Sequence, residues 1–208
     1  MLNANRVLIF LFIGIFSSSL YAVDISKFDI KGMKLGMNKN EVLKKMPCSN
    51  PKTSEGYWGY VGKAEILECN KEKFEVHLDH KGFSYIVRFY PQFDVKPNFN
   101  KLENRLIKRY GETKYKSSSR DYGEPSLKRR SLCWGICKIH KWDGGVNYEA
   151  SETTGLSATF IIWDKNHEFS MSLILSDGKR AKVLEEYSRN VQQERKRIKK
   201  EKASNIDF

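Results

Sequence analysis

The sequence predicts an α+β fold: an antiparallel β-sheet of hairpins with helices packed on one face, plus a basic C-terminal helix. Three observations carry this. Paired runs with apolar character flank short turn sequences, as in FEVHL (74–78) and FSYIVRFY (83–90) around DHKG. Two segments, near Val42 and near Leu106, place apolar residues at helical spacing. The order helix, strands, helix, strands, helix keeps hairpins together, as an α+β chain does and an alternating βαβ chain does not.

The elements follow in chain order. Arg6, the apolar run VLIFLFIGIF (7–16) and SSSLYA ending in Ala22 read as a signal peptide over residues 1–22. The apolar run is about ten residues, short of the ~20 that span a bilayer as a helix. No cysteine stands just after Ala22, so lipid attachment there is not expected. The expectation is an exported chain, in the periplasm first and secreted second. Loss of Arg6 with that segment lowers the formal charge from +12 to +11. Residues 23–177 then suit one α+β domain, and 178–208 a basic helix or tail.

Within the domain, SKFDIKGMKLGM (26–37) reads as an extended segment broken by Gly32 and Gly36. Asn38 and Glu41 hold the two positions of a capping box, and Val42, Leu43 and Met46 give the helix one apolar face before Pro47 stops it. Residues 48–69, with Pro51, Gly56, Gly59 and Gly62, read as loop or irregular hairpin. Phe99, Leu102, Leu106, Ile107 and Tyr110 predict a second helix ended by Gly111. YKSSSRDYGEPSLKRR (115–130) reads as a long exposed basic loop. LCWGICKIHKW then pairs across DGG with residues 146–150, and ATFIIW (158–163) pairs across DKNH with EFSMSLILS (168–176). The first of that last pair is apolar on both faces and is expected to be central. Leu184, Tyr187 and Val191 give the last helix a short docking stripe. Residues 179–208 carry ten basic and five acidic side chains, and the end of that helix is expected to fray. The halves 28–95 and 98–177 each read helix-then-strands, although no side-chain pattern repeats between them.

An oxidising compartment makes disulfides the default for Cys48, Cys69, Cys133 and Cys137. Four cysteines allow three pairings. A straight strand would hold Cys133 and Cys137 ~13 Å apart, beyond the ~7 Å limit for a bridge, but Gly135 between them supplies a turn. The expected pairs are Cys48–Cys69 and Cys133–Cys137.

Motifs for catalysis are scarce. No G-x-S-x-G elbow occurs, and S-x-x-K at Ser49–Lys52 and Ser176–Lys179 lacks supporting motifs. Cys133, Cys137 and His140 could supply three zinc ligands, yet thiolates in an exported protein oxidise and a fourth ligand is not evident. There is no Gly-rich phosphate loop and no dinucleotide fingerprint, so neither cofactor nor metal is expected. A carboxylate pair is defined by separation in space, which leaves an envelope hydrolase as one alternative to a non-enzymatic binding protein of the envelope. A polyanion-surface-binding protein, suited by the net positive charge, is the other.

Three features suit binding. Tyr57, Trp58 and Tyr60 alternate with glycines in SEGYWGYVGK and suit a protein partner or sugar ring. Arg129 and Arg130, with Arg120 and Lys128, make the 115–130 segment basic. Arg195, Lys196 and Arg197 belong to the basic tail, which lacks a broad apolar face and so suits electrostatic contact better than membrane insertion. An envelope protein or an acidic envelope surface is the expected partner, and specific nucleic-acid recognition is not expected.

The helix entry Gly36-Met37-Asn38-Lys39-Asn40-Glu41-Val42 has the form G-M-x-x-x-x-V. It resembles the entry of small outer-membrane assembly lipoproteins of the SmpA/OmlA (BamE) type and of β-lactamase-inhibitor-like modules. The resemblance covers about residues 28–47. It implies helices on an antiparallel sheet and action by protein binding, without catalytic residues to carry over. The acylated cysteine of the lipoproteins has no counterpart here.

Overall fold

A computed structural model describes residues 24–57, 63–95, 97–113, 115–120, 127–142, 145–148, 153–163 and 168–204. The expected signal peptide at 1–22 lies outside the described residues, as do the turn residues 143–144 and 164–167.

The chain enters through its own core. Phe28, Ile30 and Met33 are buried, and Ile30 and Met33 exchange backbone hydrogen bonds of 3.0 Å across a turn in which Lys31 and Gly32 have positive φ. Fully buried Ser84 fastens this segment: its N–H donates to the Met37 carbonyl, its carbonyl accepts from Gly36, and its hydroxyl donates to the Lys34 carbonyl. Helix α1 (Lys39–Lys45) follows, with the capping box of Asn38 and Glu41 formed as expected. Its Val42 is fully buried, worth about 2 kcal/mol in transfer terms.

Four antiparallel strands come next: β1 (Lys52–Tyr57), β2 (Lys63–Cys69), β3 (Phe74–Leu78) and β4 (Ser84–Phe89). Helix α2 (Phe99–Tyr110) is capped by Asn98 and ends at Gly111, which has φ +89°. Beyond it lie β5 (Tyr115–Arg120), β6 (Leu127–Ile136), the small hairpin β7 (Ile139–Trp142) and β8 (Gly145–Tyr148), then β9 (Thr154–Trp163) and β10 (Glu168–Asp177). The main sheet has the order β1-β2-β3-β4-β10-β9-β6-β5. The first half is a helix followed by a four-stranded meander. The second follows α2 with β5, β6, β9 and β10 side by side and the β7–β8 hairpin inserted between β6 and β9, and β4 joins β10 to make one eight-stranded sheet.

Three local expectations change. LCWGICKIHKW does not pair as a whole with residues 146–150: residues 132–136 belong to β6 and lie against β9, and only Ile139–Trp142 pairs with Gly145–Tyr148, because the turn after Ile136 carries the chain off the main sheet. Residues 48–69 hold two regular strands, paired from Lys52↔Glu68 to Tyr57↔Lys63. The 115–130 segment is not a long loop: β5 and β6 pair from Tyr115↔Cys133 to Arg120↔Lys128. Its polar alternation hid an edge hairpin, because an edge strand with a wetted surface needs few apolar residues.

One sheet face meets α1, α2 and the entry segment. Leu67, Phe74, Val76, Val87, Leu132, Leu156, Ala158, Phe160 and Leu175 build this core with Val42 and Leu106. The C-terminus of α2 is clasped from both sides. Tyr110 Oη donates to the Asp29 carbonyl at 2.8 Å, and Trp134 Nε1 donates to the Gly111 carbonyl at 2.7 Å.

Helix α3 (Gly178–Ser204) leaves β10 and docks on the opposite face. Asp177 caps it through Oδ1, which accepts from the Lys179 and Arg180 amides. Ala181 and Leu184 pack on Ala64, Tyr85 and Ile86. Adjacent Tyr85 and Ile86 share that face because the β3–β4 register shifts by one residue there, as a bulge requires. Tyr187 stacks on His80 with ring centroids 4.2 Å apart. Leu184 and Tyr187 therefore dock as expected, and the helix is described to Ser204, with residues 205–208, where fraying was expected, outside the described residues.

Both disulfides pair as expected, with Cα separations of 5.8 Å for Cys48–Cys69 and 6.2 Å for Cys133–Cys137. Gly135 and Gly155 face each other across β6 and β9 with φ of +118° and +148°. A Cβ on Gly155 would collide with the Trp134 carbonyl, and one on Gly135 with the Thr154 carbonyl. Gly155→Ala should therefore cost about 3 kcal/mol through combined strain and overpacking, read by urea unfolding. Replacing Cys48 and Cys69 together by Ser should cost about 3 kcal/mol, and the Cys133/Cys137 pair about 2, because the shorter loop loses less closure entropy. The same unfolding curves check that order.

Candidate functional site

The expected binding residues fall in separate places. Tyr57 ends β1, at one edge of the sheet; Trp58 and Tyr60 lie outside the described residues. Arg129 and Arg130 sit on β6, six strand positions away in the sheet order, which is about 29 Å at ~4.8 Å per strand. Arg195, Lys196 and Arg197 lie on α3 beyond its docked turns, and all three are exposed.

Strand alternation sends Arg129 and Arg130 to opposite faces. Arg130 faces α2, where its Nη1 lies 2.9 Å from Glu103 Oε2 and 3.3 Å from Asn100 Oδ1. Lys116 reaches the other oxygen of Glu103 at 3.4 Å. Glu103 thus holds two cations from two strands against the helix. Beside them opens a cleft of about 190 Å³ lined by Phe99, Ser118, Lys128, Arg130, Phe160 and Ile162, with Arg129 at its rim. The sequence pattern LKRR carried the cations of this cleft. Its apolar residues come from α2 and β9, whose meeting depends on the whole sheet.

On α3, Arg197 bonds Glu194 at 2.7 Å and Glu201 at 2.9 Å within the helix. Its charge is largely answered by its own neighbours. Glu194 and Glu201, seven residues apart, share one flank of the helix. Arg195, Lys196, Lys199, Lys200 and Lys202 occupy the other side and are exposed. That side is a continuous basic strip.

A buried polar group, not anticipated from the sequence, lies on the α3 side of β3 and β4. His77 is 1% exposed, its Nε2 stands 3.5 Å from Glu75 Oε2, and Arg88 Nη1 approaches the same oxygen at 3.6 Å. Burial holds His77 below its ordinary value of 6.5, despite the opposing pull of Glu75. The His77 contact, helped by the charge of Arg88, holds Glu75 below 4.5. The alternating FEVHL pattern showed which strand face was apolar but not that the other face was buried too.

Among the described residues the metal-type trio is Cys48, Cys69 and Glu72, and its two sulfurs are joined in a disulfide. Cys133 and Cys137, considered as zinc ligands, are joined likewise. No helix among the described residues is long and apolar enough to cross a membrane. No protein-family model matches the chain, and neither a curated protein nor a solved structure is significantly similar to it.

The histidine sets a direction for pH dependence. In the unfolded chain His77 takes up a proton as pH falls through about 6.5, whereas the folded chain resists it. The unfolded state then binds more protons, so stability falls on acidification. Glu75, lowered by folding, adds a further loss as pH drops below about 4.5. Thermal unfolding should show Tm falling between about pH 7.5 and 5.5, and His77→Phe should flatten that part of the curve.

Proposed function

We propose that this is an exported, non-enzymatic binding protein of the cell envelope that uses α3 to hold an acidic envelope surface. The observation that carries the reading is the basic strip of α3. The helix is docked by its first turns through Ala181, Leu184 and Tyr187, and its remainder presents Arg195, Lys196, Lys199, Lys200 and Lys202 on one side. Two disulfides and the signal-like N-terminus support export. The G-M-x-x-x-x-V entry, which resembles that of non-catalytic envelope modules, supports binding over catalysis. Tyr57, which ends β1 at the far edge of the sheet, and Trp58 and Tyr60, which follow it in sequence, are a separate apolar anchor in this reading.

Electrostatics sets the scale. Each Lys or Arg near an anionic leaflet contributes about 1 kcal/mol, so the five cations of the strip supply about 5 kcal/mol. Co-sedimentation with vesicles containing about 40% phosphatidylglycerol should therefore retain the chain at low salt. Truncation after Asn190 should lower retention at least about tenfold, and salt near 0.5 M should abolish it as screening shortens. Equal retention of the truncated and intact chains, or binding indifferent to salt, would reject the reading.

A further inference from the structure

The groove between α2 and the outer strand β5 lies outside the use proposed for α3. Strand register sets Ser118 opposite Arg130 and Lys116 opposite Leu132. Lys116 and Arg130 both reach across to Glu103 on α2. Asn100 and Asn104, four residues apart, share the flank of α2 that borders the groove. Together these residues line an open space of about 550 Å³, inside the ~300–1,000 Å³ range of small-molecule sites. Leu132 lies beneath and is fully buried. The walls within reach are therefore amides, a hydroxyl and a set of paired charges.

We propose that this groove binds a neutral, hydroxyl-rich ligand: a sugar of one or two rings. Charge excludes the ionic classes. Each oxygen of Glu103 already holds a cation, Oε2 that of Arg130 at 2.9 Å and Oε1 that of Lys116 at 3.4 Å. An anion approaching either cation meets the carboxylate held between them, and a cation approaching Glu103 meets Arg130 and Lys116. Hydrogen bonding selects the hydroxyls. Asn100 Oδ1 accepts from Arg130, which leaves its amide nitrogen to donate. Asn104 is exposed and its side chain makes no hydrogen bond among the described residues, so it offers a donor and an acceptor together. A sugar ring carries adjacent hydroxyls that each donate and accept, and so meets this mixed set without leaving a partner unmatched. An extended peptide added to the edge of β5 would need recesses for its alternate side chains, and Leu132 is sealed off from such a role.

The test titrates N,N′-diacetylchitobiose and cellobiose, both neutral, into the ¹⁵N-labelled exported chain while amide spectra are recorded. Chitobiose, a diamine, and glucuronate, an anion, run in parallel. At least one neutral disaccharide should give saturable shifts in the first turns of α2 and in β5, with both charged sugars at least about fivefold weaker. Asn104→Ala removes an exposed side chain that bonds nothing among the described residues, so the rest of the spectrum should stay unchanged. Sugar affinity should fall at least about fivefold in that variant, as loss of a hydrogen-bonding amide predicts. Absence of saturable shifts with both neutral sugars would overturn the proposal. So would equal binding of a charged sugar, shifts confined to α3, or binding untouched by Asn104→Ala.

Discussion

The fold depends on β9 being paired along its whole length on both sides. Ten residues of β9 match ten of β10, and ten match β6, with no register shift in either ladder. Buried strand groups need partners, so a central strand can be this long only if neither neighbour slips. The facing glycines bring the β6 and β9 backbones together where side chains would separate them. That close approach lets β6 continue to Ile136 before the chain turns back through Cys137. It also presents Trp134 to the end of α2, so the helix position follows from the strand register.

The two sheet faces solve different problems. One buries large side chains under α1 and α2, with the entry segment threaded between helices and strands. The other is narrower in its apolar content and is met by α3 through the small Ala181 and the larger Leu184. Between them, the β3–β4 bulge turns Tyr85 toward α3 without disturbing Val87 and Phe89 on the first face. The Glu75–His77–Arg88 group shares this second face, with Glu75 Oε2 approached by both His77 and Arg88.

Local chemistry made much of this legible. Asn38 with Glu41, Gly111 after Tyr110, and the alternation in residues 74–78 each state their structure within a few residues, and the structure has them as read. The cysteine pairing followed from chain distance and one glycine. The β5–β6 hairpin was hidden because Lys116, Ser117 and Ser118 are themselves polar, while β6 draws its order from β9, some thirty residues later in sequence. The bulge at Tyr85 and the burial of His77 are likewise tertiary facts. The basic strip of α3 was readable because a helix encodes its own surface. The cleft was not, since Phe99, Lys128 and Ile162 meet only after three elements have docked.

Helix α3 also places charge at a distance from mass. From Tyr187 to Ser204 the axis extends about 26 Å at ~1.5 Å per residue. Fields from exposed charges fade over ~8 Å at physiological ionic strength. The distal cations are therefore electrically independent of the domain that carries them: changes of charge on the sheet surface scarcely alter the potential at Lys199 or Lys202. Such a helix acts as a standoff. Contact made along its outer turns would hold the β-sheet body several ionic-atmosphere thicknesses from the end of the helix, leaving the edges of the sheet open to a second encounter.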